Sequence, residues 1–173
     1  MAKLVFELNQ SLDGYVDHDR IPPEALFPHW IERTRAISAA VYGRRMYDIM
    51  RYWDEDDASW GEDERAYATA WRRLPKYVAS RTLSSVGDNA TLLGSDVRKE
   101  VAELKNQLTG EIEVAGPEIA SVLADLVDEY RLYVHPVVLG HGKPLFAAER
   151  PPLQLVAHDR IAGDVVRLTY IPA

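Results

Sequence analysis

Leu4-Val-Phe-Glu-Leu8 is a short, mostly apolar run ended by Asn9, Ser11, Asp13 and Gly14. It predicts a buried strand entering a polar loop. From Glu24 to Ile37 the spacing of Leu26, Trp30, Ile31 and Ile37 is helical, with Pro22 and Pro23 where a helix can begin. Ser38–Tyr42 predicts a small-residue strand that stops at Gly43, and Arg44–Met50 a short helix directly after it. The acidic stretch Asp54–Asp57 reads as a solvated loop and Glu62–Trp71 as another helix. Lys76–Ser80 is a strand delivered to the turn Arg81-Thr82, and Thr91–Leu93 a shorter one ending at Gly94. Val97, Val101, Leu104 and Leu108 recur at helical spacing behind the cap Asp96, and Gly110 closes that helix. Glu111–Ala115 then leads into Gly116-Pro117, with a helix over Glu118–Ala124.

The last third has a different pattern. Glu129–Val138 alternates toward an extended strand, and Leu153–Tyr170 contains two strands joined around Ala162-Gly163-Asp164. Alternating strands and helices followed by strands without helices between them argue for an α/β fold. The expected architecture is one mixed, mainly parallel sheet flanked by helices, with antiparallel strands at the C-terminal end. No linker, repeat or second domain interrupts residues 1–173.

Composition narrows the chemistry. The absence of cysteine excludes a disulfide framework, a thiolate metal site and a cysteine nucleophile. Lys plus Arg number 20 against 27 for Asp plus Glu, and the net charge of −7 repels nucleic acid and anionic membranes. The first residues are too soon broken by Glu7 and Asn9 for a secretory signal, and no run approaches the ~20 apolar residues of a membrane span. A cytoplasmic protein is the simplest expectation. His18, His29, His141 and His158 show no metal-ligand spacing, and the tryptophans at 30, 53, 60 and 71 read as core or rim packing.

Three strand ends pass into polar or glycine turns: Tyr42-Gly43-Arg44-Arg45, Ala79-Ser80-Arg81-Thr82 and Val114-Ala115-Gly116-Pro117-Glu118. In an open α/β sheet, ligands bind at the carboxyl ends of strands, where glycine admits a close backbone approach and arginine offers a planar charged fork to phosphate oxygens. If the three turns line one groove, the combination suits a phosphorylated dinucleotide. The chain has neither G-x-G-x-x-G nor G-x-x-x-x-G-K-[ST].

The ordered set of segments Ser11-Leu-Asp-Gly-Tyr-Val16, Tyr42-Gly-Arg-Arg-Met-Tyr47, Pro75–Leu83, Val114-Ala-Gly116 and Leu126–Gly140, with Gly142 and Leu145-Phe146, covers nearly the full length. In this order it resembles the dihydrofolate reductase-like family, which includes the reductase domain of riboflavin biosynthesis. The resemblance implies NADPH bound across the sheet. Gly43, Arg44 and Arg45 then correspond to the turn that meets the pyrophosphate and ribose 2′-phosphate, and Ser80, Arg81 and Thr82 to the adenosine side. Gly116, Pro117, Glu118 and Ile119 match the glycine turn against the phosphates and nicotinamide, with Asn9 and Ser11 near the nicotinamide. Where the family often has two adjacent glycines at the third turn, the first here is Ala115.

The family's folate reductases carry a carboxylate on the first helix. Leu26-Phe-Pro-His-Trp30 offers no acid in register, although Glu24 and Glu32 flank it. Two polar residues stand near the expected substrate. Asp13 can hydrogen-bond substrate or shuttle a proton, or else close its own turn. His135, alternating with Tyr133 on a strand that the resemblance runs beneath the pocket, can act as a neutral-pH acid, or else be satisfied within the sheet. The leading expectation is an NADPH-dependent reductase of a small heterocyclic (pteridine- or pyrimidine-like) or carbonyl substrate. The alternatives are the riboflavin-pathway reduction of 5-amino-6-(5-phosphoribosylamino)uracil and a dinucleotide-binding module without turnover. The resemblance and the apolar run Val134–Leu139 leave room for a homodimer.

Overall fold

The computed structural model describes residues 1–21 and 26–173. The start of the first helix expected near Glu24, with Pro22 and Pro23, lies outside the described residues. Among the described residues eight strands form one sheet: β1 (Lys3–Gln10), β2 (Ala39–Gly43), β3 (Lys76–Ala79), β4 (Ala90–Leu92), β5 (Glu111–Ala115), β6 (Glu129–Val134), β7 (Leu153–Ala162) and β8 (Val165–Pro172). Their order is β4-β3-β2-β5-β1-β6-β8-β7. The first six are mutually parallel, and β8 and β7 add on antiparallel, as the helix-free C-terminal pattern predicts. Among the described residues five α-helices connect them: α1 (Phe27–Ala36), α2 (Arg44–Met50), α3 (Glu62–Arg73), α4 (Val97–Gln107) and α5 (Pro117–Val122). No helix among the described residues is long and apolar enough to cross a membrane.

The local signals act as anticipated. Asp96 caps α4 by accepting from the Lys99 N–H at 3.0 Å, and Gly110 reverses the chain after it with φ +77°. β1 and β5 lie at the centre of the sheet, covered on both faces. Leu4, Phe6, Ile112 and Val114 pack on one face with Val101 and Leu104 of α4 and Ile119 and Ala120 of α5. On the opposite face α1 and α3 pack against each other, and α1 reaches the sheet through Arg33, which pairs with Glu7.

β6 is shorter than the sequence pattern suggests, ending at Val134 rather than Val138. Pro136 has no N–H to continue the ladder. The His135 N–H still bonds to the Gln10 carbonyl at 2.8 Å, after which Val137 turns back onto the His135 carbonyl. The chain then runs beside the β1 loop, where the Leu12 N–H bonds to the Val137 carbonyl at 2.8 Å.

Candidate active site

The strand order places β5, which is late in the chain, between β1 and β2, so the connections diverge around it. A crevice at the carboxyl ends of the strands is the physical consequence of such a reversal. Two concavities occupy this end of the sheet.

The larger is a groove of about 810 Å³. All three predicted turns meet in it: Gly43 and Arg44 from β2–α2, Ser80, Arg81 and Thr82 after β3, and Glu118 and Ile119 of α5. Gly94 and Ser95, after β4, complete a wall that the sequence pattern did not single out. The Ser80 hydroxyl shapes its turn by accepting from the backbone N–H of Thr82 at 3.2 Å and of Leu83 at 3.0 Å. Arg44 donates to the Thr82 hydroxyl at 2.8 Å, which ties two of the turns together. Arg45 does not line the groove; its guanidinium lies 3.9 Å from the Glu118 carboxylate, beside it. Pro117 is buried at the start of α5.

Gly116 adopts φ +113° and ψ 131°, a conformation that side chains rarely tolerate. A Cβ built there would lie 3.6 Å from Ile119, which lines the groove, and 3.9 Å from Met46, which lines the second concavity. Gly116 therefore stands where the two spaces approach each other. Gly116 keeps this positive-φ conformation with Ala115 in front of it, and every peptide bond among the described residues is trans.

The second concavity is a cavity of about 120 Å³ with an aromatic wall that includes Phe27, Trp30 and Trp53. Its polar surface comes from Asn9, Glu7 and Glu113, with exposed His18 at the mouth. Trp30 and Trp53 line this cavity, whereas Trp60 and Trp71 are buried outside its lining. The two glutamates on neighbouring strands were not anticipated as site residues. Their signal was present: Glu7 within LVFEL and Glu113 within EIEVA each stand between two apolar residues, in strands with parallel neighbours where both faces are normally apolar.

The two acids have different surroundings. Glu7, 2 % exposed, forms an ion pair with Arg33, lies 3.6 Å from Arg131 and accepts from the Tyr133 hydroxyl at 3.1 Å. Arg33 and Arg131 also clasp Glu111 at 2.8 and 2.7 Å, and hydrogen bonding from Arg131 draws the Glu111 carboxyl down to about 2. Glu113 belongs to no ion pair among the described residues and accepts one hydrogen bond, from the Tyr42 hydroxyl at 3.3 Å. Burial, reinforced by the nearby charge of Glu7, pushes its carboxyl up to about 7.

Neither Asp13 nor His135 lines the cavity. The exposed Asp13 carboxylate accepts from the backbone N–H of Leu139 at 3.1 Å and of Gly140 at 2.7 Å, so it closes the neighbouring loop rather than its own turn. The Ser11 hydroxyl and these amides hold its carboxyl down to about 2. Ser11 itself is buried and accepts from the Tyr15 N–H at 2.9 Å. His135, 2 % exposed, places Nε2 2.9 Å from Oδ1 of Asn9, the residue that does reach the cavity. Of the acids flanking the first helix segment, Glu32 is exposed on α1 and Glu24 lies outside the described residues.

Known structures share this fold. A putative riboflavin biosynthesis protein from Shewanella sp. PV-4 superposes with a TM-score of 0.71 at 24 % identity over 100 % of this chain and 99 % of its own. A diaminohydroxyphosphoribosylaminopyrimidine deaminase/5-amino-6-(5-phosphoribosylamino)uracil reductase from Thermotoga maritima gives 0.69 at 15 % identity, with 99 % of this chain matching 57 % of that longer protein. Dihydrofolate reductase from Enterococcus faecalis, solved with NADP(H), gives 0.67 at 13 % identity over 98 % of this chain and 95 % of that one. In sequence, the uncharacterized protein YyaP of Bacillus subtilis (strain 168) is 28 % identical over 185 residues, spanning 97 % of this chain and 94 % of YyaP. Residues 2–167, nearly the whole length, match the RibD C-terminal domain, and the chain belongs to the RibD C-terminal domain family.

Proposed function

We propose that the protein is an NADPH-dependent reductase that transfers hydride to a small heterocyclic (pteridine- or pyrimidine-like) or carbonyl substrate held in the cavity. The observation that carries this reading is the meeting of three strand-end turns in one groove whose Gly116 end abuts a cavity with buried polar walls. The groove volume of about 810 Å³ falls within the ~300–1,000 Å³ of ligand and cofactor sites. Its donors also fit: Arg81 and Arg44 face it with Ser80 and Thr82 between them, a set suited to a ribose 2′-phosphate.

In this assignment Gly43 and the Gly116–Ile119 turn bear on the pyrophosphate, with Arg45 beside it, and Asn9 lies at the nicotinamide end. When bound, the reduced nicotinamide supplies the hydride. Asn9 presents its side chain to the cavity, and the His135 imidazole keeps it oriented. Asp13 has a similar supporting role farther from the cavity, fixing the loop that follows His135. The aromatic wall excludes water from the reacting atoms.

Reduction of 5-amino-6-(5-phosphoribosylamino)uracil is the second reading, favoured by family membership. The cavity lining contains no Lys or Arg among the described residues to meet that substrate's phosphate, so the unphosphorylated class is preferred. The test is calorimetric titration with NADPH and NADH, followed by NADPH consumption against oxidised pteridines, pyrimidines, carbonyls and the phosphoribosylaminouracil. Absence of NADPH binding would refute the assignment. Binding without consumption of any acceptor would leave a dinucleotide-binding module.

A further inference from the structure

The reductase reading leaves the proton unassigned. Hydride addition to a C=N or C=O bond forms a new C–H bond and places the electron pair of the former π bond on nitrogen or oxygen, which must take up one proton. Four groups on the cavity wall, besides Glu113, carry or exchange protons: Glu7 on β1, Tyr42 on β2, Tyr67 on α3 and His18 at the mouth. Glu7 is occupied by Arg33, Arg131 and the Tyr133 hydroxyl. Tyr42 and Tyr67 are enclosed phenols pushed above their ordinary range, chiefly by burial, which makes them weaker acids. His18 is exposed by its surface, yet the burial of its ring holds its pKa below the ordinary imidazole value, so it carries little acidic proton at neutral pH.

Resting on the reductase reading, we infer that Glu113 is the proton donor to the substrate, its carboxyl facing the cavity from β5 without a cationic partner and steadied by the Tyr42 hydroxyl. The O–H bond of the Glu113 carboxyl breaks as the substrate N–H or O–H bond forms. The hydride comes from the reduced nicotinamide, and the carboxylate regains a proton from solvent after product leaves. The charged groups packed around Glu113 act in opposite senses. The carboxylate of Glu7 favours the protonated form and Arg33 of α1 opposes it, with burial dominant, so a neutral carboxyl persists to about pH 7. A family member without an acid in register on α1 thus has one on the opposite wall of the same space.

The experiment has two readouts. In the ligand-free protein, pH-difference infrared spectroscopy follows the carboxylic-acid C=O band that disappears in Glu113→Gln. That band is expected to titrate near pH 7. With NADPH and an accepted substrate, Glu113→Gln is expected to lower turnover by about 10²–10⁴-fold and abolish the alkaline limb of the rate profile, with NADPH affinity unchanged. Tyr42→Phe keeps the acid but removes the hydrogen bond that favours its ionised form. It should therefore move both the band and the alkaline limb to higher pH, which keeps the proposal falsifiable if Glu113→Gln folds poorly. A band titrating near the ordinary 4.5, or full turnover in Glu113→Gln, overturns the proposal while leaving the reductase intact. A wild-type protein that binds no NADPH overturns the reductase reading and this proposal with it.

Discussion

Replacing Glu113 by Gln should make the protein more stable at pH 8 and leave it little changed at pH 5. The Glu113 carboxyl is raised from its ordinary 4.5 to about 7, so between these values the folded state holds a proton that the unfolded chain has released. Its contribution to stability is present in full below pH 4.5 and falls away as pH rises through 7. At 1.36 kcal/mol for each pH unit of that difference, the loss approaches about 3 kcal/mol, an upper limit because the cavity keeps some of the carboxyl wet. Gln cannot ionise and still accepts from the Tyr42 hydroxyl, so it escapes this loss. His29, held to about 4 mainly by burial, and His135, also lowered by burial, act in the opposite sense, removing stability as pH falls below 6.5. The wild-type profile alone is therefore mixed, and the difference between variant and wild type isolates Glu113. Urea unfolding of both proteins at half-unit steps from pH 4.5 to 8.5 measures it. Parallel curves would show that Glu113 ionises as freely in the folded protein as in the unfolded chain, and would remove the electrostatic basis for a proton-holding acid in the cavity.

Arg81→Ala should reduce the preference for NADPH over NADH at least tenfold, since a charge-assisted contact to a 2′-phosphate contributes roughly 1.5–3 kcal/mol; calorimetry with both cofactors measures it, and an unchanged ratio would move the 2′-phosphate away from this turn. Gly116→Ala should lose about 1–3 kcal/mol of stability from backbone strain alone, because its Cβ meets Ile119 and Met46 only at ordinary contact distances. Thermal unfolding that matched wild type would mean the turn relaxes. His135→Ala should lower kcat on an accepted substrate while NADPH affinity stays near wild type, with ~1–3 kcal/mol of stability lost for the unpaired Asn9 amide. Retained kcat with lost stability would reduce His135 to a structural residue.

What the sequence alone determined is what short-range chemistry controls. The Asp96 cap, the Gly110 reversal, the boundaries of α2 at Arg44–Met50 and the hairpin around Gly163 follow from turn propensities and periodicity over a few residues. The groove was legible for the same reason: its walls are strand-end turns, each recognisable on its own, and parallel strands bring their carboxyl ends to one edge. Tertiary structure alone decided the cavity. β5 inserts between β1 and β2, which sets Glu113 beside Glu7 although more than a hundred residues of chain separate them, and no local pattern encodes that neighbour. It also decided the roles of Asp13 and His135, whose partners Leu139, Gly140 and Asn9 are equally remote in sequence. The same holds for protonation. Glu7 and Glu113 read alike as acids set between two apolar strand residues, but two arginines, Arg33 from α1 and Arg131 from β6, reach Glu7, whereas Glu113 is left facing a tyrosine and an aromatic wall. A carboxyl's affinity for its proton is set by desolvation and by the charges brought near it, and both are properties of the assembled fold.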